Sequence, residues 1–310
     1  MLYNNIFIGV IPGIVGEFLT IENSLYLEKK ARLLDGLDPE SRATIVGVLN
    51  RYEMLAHSGN FNGLLDANYL TAAEWEYGKT TAENFYKSIT YIGDCFECRG
   101  YRLPINHFET SVFLSEHHLD SLSDTTLLDD PSRVILDVGG FIGDSVLVFR
   151  KHFQNKIISF EATGENFALA QRTAELNNIT NIVQEHLALG ERAGTVYFTN
   201  DKESGNKENS ADIGEPTQMD TLDNYARENN IRIGLIKVDI EGGEQAFLRG
   251  ALETIKRDRP IMLLSIYHNF NDLFDIKPFI ESLNLGYKFK ISKPVDCPLQ
   301  EILLICEPQG

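Results

Sequence analysis

The sequence predicts an α/β fold built on a parallel sheet, and three observations carry the prediction. From Arg133 onward, short apolar runs alternate with segments of helical period, as repeated βα units require. The first of those runs ends in a glycine-rich turn, Gly139-Gly140-Phe141-Ile142-Gly143, at a junction between strand and helix. The later runs at 233–239 and 261–266 are almost continuously apolar, the pattern of strands covered on both faces.

Taken in order, residues 134–138 form the first strand, and Ile142, Val146, Phe149 and Phe153 give the next helix one apolar stripe. A second strand lies at 157–160. Thr163 then starts a helix whose Phe167, Ala170 and Ala174 recur at helical spacing before Asn177-Asn178 ends it. The third strand begins at Ile182-Val183. The polar stretch 201–216 shows no periodicity and reads as a mobile loop, of the length lids have. A short helix from Thr221, the fourth strand at 233–239 and a helix from Gly243 with Phe247, Ala251 and Ile255 buried come next. The fifth strand at 261–266, a helix at 276–283 and an antiparallel pair at 287–291 and 302–306 complete the chain.

The first part differs. Residues 1–125 show helical patterns at 15–33, 38–57 and 70–89, followed by aromatic and β-branched residues at 91–113, and carry no chemical motif. They are expected to form a mainly helical cap or dimerisation region, which leaves a homodimer open, with a second domain at 126–310. The histidines His117 and His118 read as surface residues.

Composition narrows the function. Apolar residues at 43% and charged ones at 24% exclude a disordered or fibrous chain. A formal net charge of −17 repels nucleic-acid phosphates and anionic lipid, so neither is an expected partner. No apolar run reaches the ~18 residues of a membrane span, and the stretch 6–14 is short and lacks a basic start, so the expected location is cytoplasmic. Four cysteines make no disulfide framework, and Cys95-Phe96-Glu97-Cys98 lacks the second pair a structural zinc site needs.

Chemistry concentrates at the strand ends. The glycine turn lets the backbone bend tightly and brings helix-terminal N–H groups toward a nucleotide-like ligand. It is not the Gly-x-Gly-x-x-Gly of a dinucleotide site. Asp137 before it and Asp144 after it disfavour a pyrophosphate and suit a ligand with a cationic centre, while Glu161 at the end of the second strand can accept both hydroxyls of an unphosphorylated ribose.

At these residues the chain resembles a known family. Asp137-Val138-Gly139-Gly140-Phe141-Ile142-Gly143-Asp144 resembles the first motif of class I S-adenosylmethionine-dependent methyltransferases, and Phe160-Glu161-Ala162 with Glu165-Asn166-Phe167 is similar to their ribose-binding strand end and helix. Ile236-Lys237-Val238-Asp239-Ile240-Glu241-Gly242-Gly243-Glu244 with Gly250-Ala251 resembles the FkbM group in particular. Ala162-Thr163 departs from the proline the family commonly has there. The resemblance, over about residues 131–310, implies a Rossmann-like seven-stranded sheet of order 3-2-1-4-5-7-6 with the last strand antiparallel. It implies S-adenosyl-L-methionine as cofactor, held by Asp137, Gly139, Gly140, Gly143, Asp144, Glu161 and Ala162. It also implies O-methylation of a small-molecule or glycan acceptor: a sugar, a glycan or a secondary metabolite.

For the reaction, Lys237 interrupts an apolar strand and needs a counter-ion, which alternation along the strand gives as Asp239 or Glu241. His268, two residues beyond the fifth strand, is the expected general base for the acceptor hydroxyl, with Asp239 as its orienter and Glu241 as support. The alternative use of Asp239, Glu241 and His268 is to hold a divalent cation that acidifies the hydroxyl. A non-catalytic methyltransferase-like binding module and a nicotinamide-dependent oxidoreductase are the competing functions.

Overall fold

The computed structural model describes residues 10–58, 70–201, 205–208 and 214–309. The chain opens with α1 (Val10–Thr20), α2 (Asn23–Leu34), α3 (Pro39–Ser58), α4 (Ala72–Tyr77), a π-helical turn at Gly78–Ala82 and α5 (Glu83–Lys87). The helical pattern expected at 15–33 is thus two helices, broken at Ile21-Glu22. Thr71 caps α4 in a box: its hydroxyl accepts from the Glu74 N–H while the Glu74 carboxylate accepts from the Thr71 N–H. The aromatic stretch after the helices is a three-stranded antiparallel sheet, β1 (Thr90–Tyr91), β2 (Phe96–Cys98) and β3 (Tyr101–Leu103), followed by the short helix α6 (Thr110–Phe113). Cys95 and Cys98 are buried free thiols in it.

The alternating part then runs β4 (Arg133–Val138), α7 (Asp144–His152), β5 (Ile157–Glu161), α8 (Gly164–Leu176) and β6 (Ile182–His186). Next come β7 (Ala188–Leu189), β8 (Gly194–Asp201), β9 (Gly205–Glu208), β10 (Glu215–Asp220), α9 (Leu222–Glu228) and β11 (Arg232–Val238). It ends with α10 (Glu244–Gly250), α11 (Leu252–Asp258), β12 (Ile261–Ser265), α12 (Phe270–Ser282), β13 (Tyr287–Ser292) and β14 (Leu303–Pro308). Seven strands form one sheet in the order β6-β5-β4-β11-β12-β14-β13. Numbered along the chain, that order is the expected 3-2-1-4-5-7-6. The pairs β4–β5, β5–β6, β4–β11 and β11–β12 are parallel, and β13 and β14 run antiparallel.

Three expectations are corrected. The stretch 201–216 is not one loop: Gly205–Glu208 is a strand and β10 begins at Glu215, both in a second sheet of order β7-β10-β8-β9. Its polar composition hid the strands, and the remainder of the expected lid, 202–204 and 209–213, lies outside the described residues. The helix from Gly243 is two helices, because Ala251 leaves helical geometry at φ −115° between them; Phe247, Ala251 and Ile255 are buried as expected. The helix of 276–283 starts earlier, where the Asn269 side chain accepts from the Asp272 N–H, and it carries Pro278 inside it.

The chain divides into two compact units. One gathers the described residues of Met1–Lys87 and Ser265–Gly310 with Gly205; the other holds Ser88–Asp201 and Asn206–Leu264, so residues 88–125 group with the alternating segment rather than with the helices before them. In the first unit, Phe18 of α1 meets Tyr52 of α3 at 5.5 Å and Phe270 of α12 at 5.4 Å, and the buried Tyr52 hydroxyl donates to the Leu299 carbonyl. Arg51 and Lys293 flank the buried Glu74 carboxylate. In the second unit the core is β4, β5 and β11, whose apolar residues are almost wholly buried.

Within that second unit, α10 ends in near contact with the turn after β7. A Cβ on Gly250 would collide with the carbonyl of Gly190, so the two backbones touch there. Gly250→Ala is expected to destabilise the protein by about 2 kcal/mol, read as a lower urea midpoint at unchanged slope.

Candidate active site

The site is built where β5, β4 and β11 end. Parallel register sets Asp137 of β4 level with Ser159 of β5 on one side and Lys237 of β11 on the other. Ser159 Oγ donates to Asp137 Oδ2 at 3.1 Å, and Lys237 Nζ lies 3.2 Å from Asp137 Oδ1. The counter-ion of Lys237 is therefore Asp137 on the neighbouring strand, not Asp239 or Glu241 on its own. Burial works against the charge on Lys237, but Asp137, with Asp239 and Asp144 behind it, outweighs burial and holds the ammonium above the usual lysine range.

Lys237 also donates to the Gly139 carbonyl at 2.9 Å, which fastens the start of the glycine turn to β11. Gly139 has φ +82°, and a Cβ there would strike the Asp239 carbonyl, so the residue must be glycine for both reasons. Gly140 packs against Ser159, and its carbonyl accepts from the Gly143 N–H at 2.7 Å, closing the turn before α7. Phe141 sits between them in left-handed geometry, φ 45°. Asp144, first in α7, is buried, and its carboxylate accepts from the Ser145 N–H at 2.7 Å. Burial, reinforced by the Glu109 carboxylate and opposed by Lys237, pushes its pKa up to about 6.

Glu161 ends β5 with its side chain turned toward the glycine turn. One carboxylate oxygen accepts from the Phe141 N–H at 2.9 Å; the other accepts from the Thr163 N–H and hydroxyl, both at 2.8 Å. Burial raises its pKa, against these donors and the Asn166 side chain, which lower it. Ala162 contributes its carbonyl, which accepts from the Thr217 hydroxyl at 2.6 Å and contacts His186 Nε2 at 3.0 Å. Thr217 belongs to β10, as does Glu215, whose carboxylate accepts from the Gly164 N–H at the start of α8. The second sheet is thus clasped to the end of the Glu161 strand.

Beyond β11 the extended chain stops. Asp239 is half-buried, its N–H donating to the Val138 carbonyl, and Glu241 lies in a left-handed turn at φ 57° rather than continuing the strand. Glu244 reaches back from α10 so that its carboxylate accepts from the Ile240 N–H at 2.9 Å. His268 belongs to the other compact unit, buried just past β12 with its ring 4.2 Å from that of Tyr267. The structure therefore brings Asp137, Gly139, Gly140, Gly143, Asp144, Glu161 and Ala162 together around one turn.

Three residues of this unit escaped the sequence reading. Ser159 could have been found from strand register. Ser145 stands in the first turn of α7, where a serine carries no special signal. His117, read as a surface residue, lies 3.0 Å from Ser145 Oγ through its Nε2. Its placement depends on consecutive left-handed residues that no local pattern announces.

Comparison with known proteins agrees with the fold. The profile of the methyltransferase FkbM domain matches residues 137–289. A curated fungal protein, Methyltransferase 1 of Beauveria bassiana (strain ARSEF 2860), is 28% identical over 176 residues, which cover 48% of this chain and 70% of that protein. The crystal structure of methyltransferase FkbM from Methylobacillus flagellatus KT superposes with a TM-score of 0.59 at 18% identity. That match covers 91% of this chain but only 59% of the other, so the chain spans less than two thirds of that protein's length.

Two expectations follow from the buried charges. Lys237→Met or Asp137→Asn alone should cost about 3 kcal/mol or more in urea unfolding, since each leaves an unpaired buried group, and the double variant should recover most of the loss. Asp144 binds its proton more tightly folded, at about 6, than at its ordinary 3.8, so the native state loses stability as pH rises between those values. Asp144→Asn should accordingly gain on the wild type between pH 4 and pH 7, by up to about 3 kcal/mol.

Proposed function

As residues 137–289 belong to the FkbM methyltransferase family, we propose that the chain is an S-adenosylmethionine-dependent O-methyltransferase acting on a hydroxyl of a sugar, glycan or secondary metabolite. The observation that carries this reading is the Glu161 carboxylate, buried at the end of β5 and turned onto the glycine turn of β4. A carboxylate there suits a ribose diol. The turn beside it is flanked by Asp137 and Asp144 with one lysine among them, a surrounding that favours a cationic ligand over a pyrophosphate.

The residues present fit the cofactor. When bound, S-adenosylmethionine supplies an electrophilic methyl on a sulfonium centre. Glu161 binds the sugar; Asp137 and Lys237 keep the glycine turn in shape; Asp144 adds negative charge as it ionises above about pH 6. The hydroxyl that attacks must lose a proton, and His268 is assigned as its general base, with Asp239 as orienter and Glu241 as support. His268 suits that role as a buried imidazole immediately after a core strand. The net charge of −17 supports a small or uncharged acceptor rather than a nucleic acid.

Calorimetric titration with S-adenosylhomocysteine, NAD and NADP tests the cofactor. Binding of the first alone is expected, and Glu161→Gln should weaken it about tenfold or more, because an amide sets a donor against backbone N–H groups. Binding of NAD in place of S-adenosylhomocysteine would end the transferase reading. With labelled S-adenosylmethionine and a panel of hydroxylated acceptors, His268→Ala should lower kcat about a hundredfold or more while leaving S-adenosylhomocysteine affinity intact. Equal loss of both would remove His268 from the proton step.

A further inference from the structure

Before β4 the chain makes an unusual turn. Glu116, His117 and His118 are three successive non-glycine residues in left-handed geometry, with φ 47°, 51° and 55°. Such conformations are costly for side-chain-bearing residues and persist only where surrounding contacts hold them. Here the contacts are with α7. The Glu116 carboxylate is gripped by Lys151 and His152 in its last turn, the His117 ring stacks on Phe149 at 5.6 Å, and His117 Nε2 meets Ser145 Oγ at 3.0 Å in its first turn. The turn is pinned at both ends of the helix that follows the glycine motif.

What this arrangement presents is one imidazole nitrogen. Nε2 is engaged by Ser145, and among the described residues Nδ1 has no hydrogen-bond partner. Burial, followed by the positive charge of Lys237 and only partly opposed by Asp239, brings the His117 pKa down to about 3, so the ring is neutral at physiological pH. A neutral imidazole can donate or accept and repels neither end of a zwitterion.

Position assigns the ligand part. In the sheet, β5 with Glu161 lies on one side of β4 and β11 on the other. A ligand whose ribose sits at Glu161 and whose middle crosses the glycine turn extends toward β11, and His117 lies within the field of Lys237 and Asp239 of that strand end. Past its sulfur, the adenosyl ligand carries an amino-acid tail. We propose that His117, held by the left-handed turn and oriented by Ser145, hydrogen-bonds the zwitterionic amino-acid end of the cofactor. This rests on the cofactor reading given above, and it places a binding residue outside the segment that matches the family.

The test is calorimetric titration of the full chain with S-adenosylhomocysteine and with 5′-methylthioadenosine, which keeps adenosine and sulfur but lacks the tail. His117→Phe preserves the stack on Phe149 and removes both nitrogens. It should lose about tenfold or more in S-adenosylhomocysteine affinity while binding 5′-methylthioadenosine like the wild type. His117→Gln, which keeps polar atoms, should restore part of the loss. Unchanged S-adenosylhomocysteine affinity in His117→Phe, or parallel losses for both ligands, would overturn the assignment and leave the cofactor reading standing. A wild type that binds neither ligand would overturn both. Should His117→Phe fail to fold, His117→Gln decides by the same comparison of two ligands.

Discussion

The ion pair between Lys237 and Asp137 is the constraint on which the rest of the site depends. A lysine in a strand covered on both faces is expensive to bury, and its attraction to one carboxylate seldom exceeds that cost by much. The pair is better understood through what it positions. Asp137 is held from one side by Ser159 and from the other by Lys237, and the same ammonium grips the first carbonyl of the glycine turn. Three adjacent strand ends and the loop between them are locked by five polar atoms.

The charge of Lys237 also sets the state of its neighbours. It opposes protonation of His117, which burial already disfavours, and it tempers the rise of Asp144 that burial and Glu109 cause. One cation thus adds to burial in holding an imidazole neutral and helps a buried carboxyl remain ionisable near neutral pH. A cationic ligand arriving here meets Asp137 already neutralised by its lysine and Asp144 only partly committed to its proton, so Asp144 is the group whose charge responds to occupancy.

Much of this was legible in the residues and some was not, for physical reasons. Apolar runs and helical stripes fix β4, β5, β11 and β12 and the helices between them, because burial on both faces leaves no other composition open to such strands. The glycine turn and Glu161 were legible because their chemistry is local. The partner of Lys237 was not, since alternation names neighbours along one strand while the ion pair follows register across two. The strands at Gly205–Glu208 and Glu215–Asp220 were hidden by a polar composition that reads as loop. Ala251 divides a helix whose apolar period continues unbroken through it, so periodicity alone could not show the break. His117 depends on three successive left-handed residues, a run that no local pattern at 116–118 announces.

The hydrogen bonding of Glu161 has a thermodynamic consequence. A carboxylate offers about four lone-pair sites, and here the Phe141 amide and the Thr163 amide and hydroxyl already occupy three. A sugar diol brings two hydroxyls to Glu161 and must evict at least one internal donor, the freest to turn away being the Thr163 hydroxyl. Recognition at that end is barter: one set of hydrogen bonds for another of similar worth. Net gain must then come from the surfaces the nucleoside covers, which makes shape, more than polar contact, the arbiter of which nucleosides are retained.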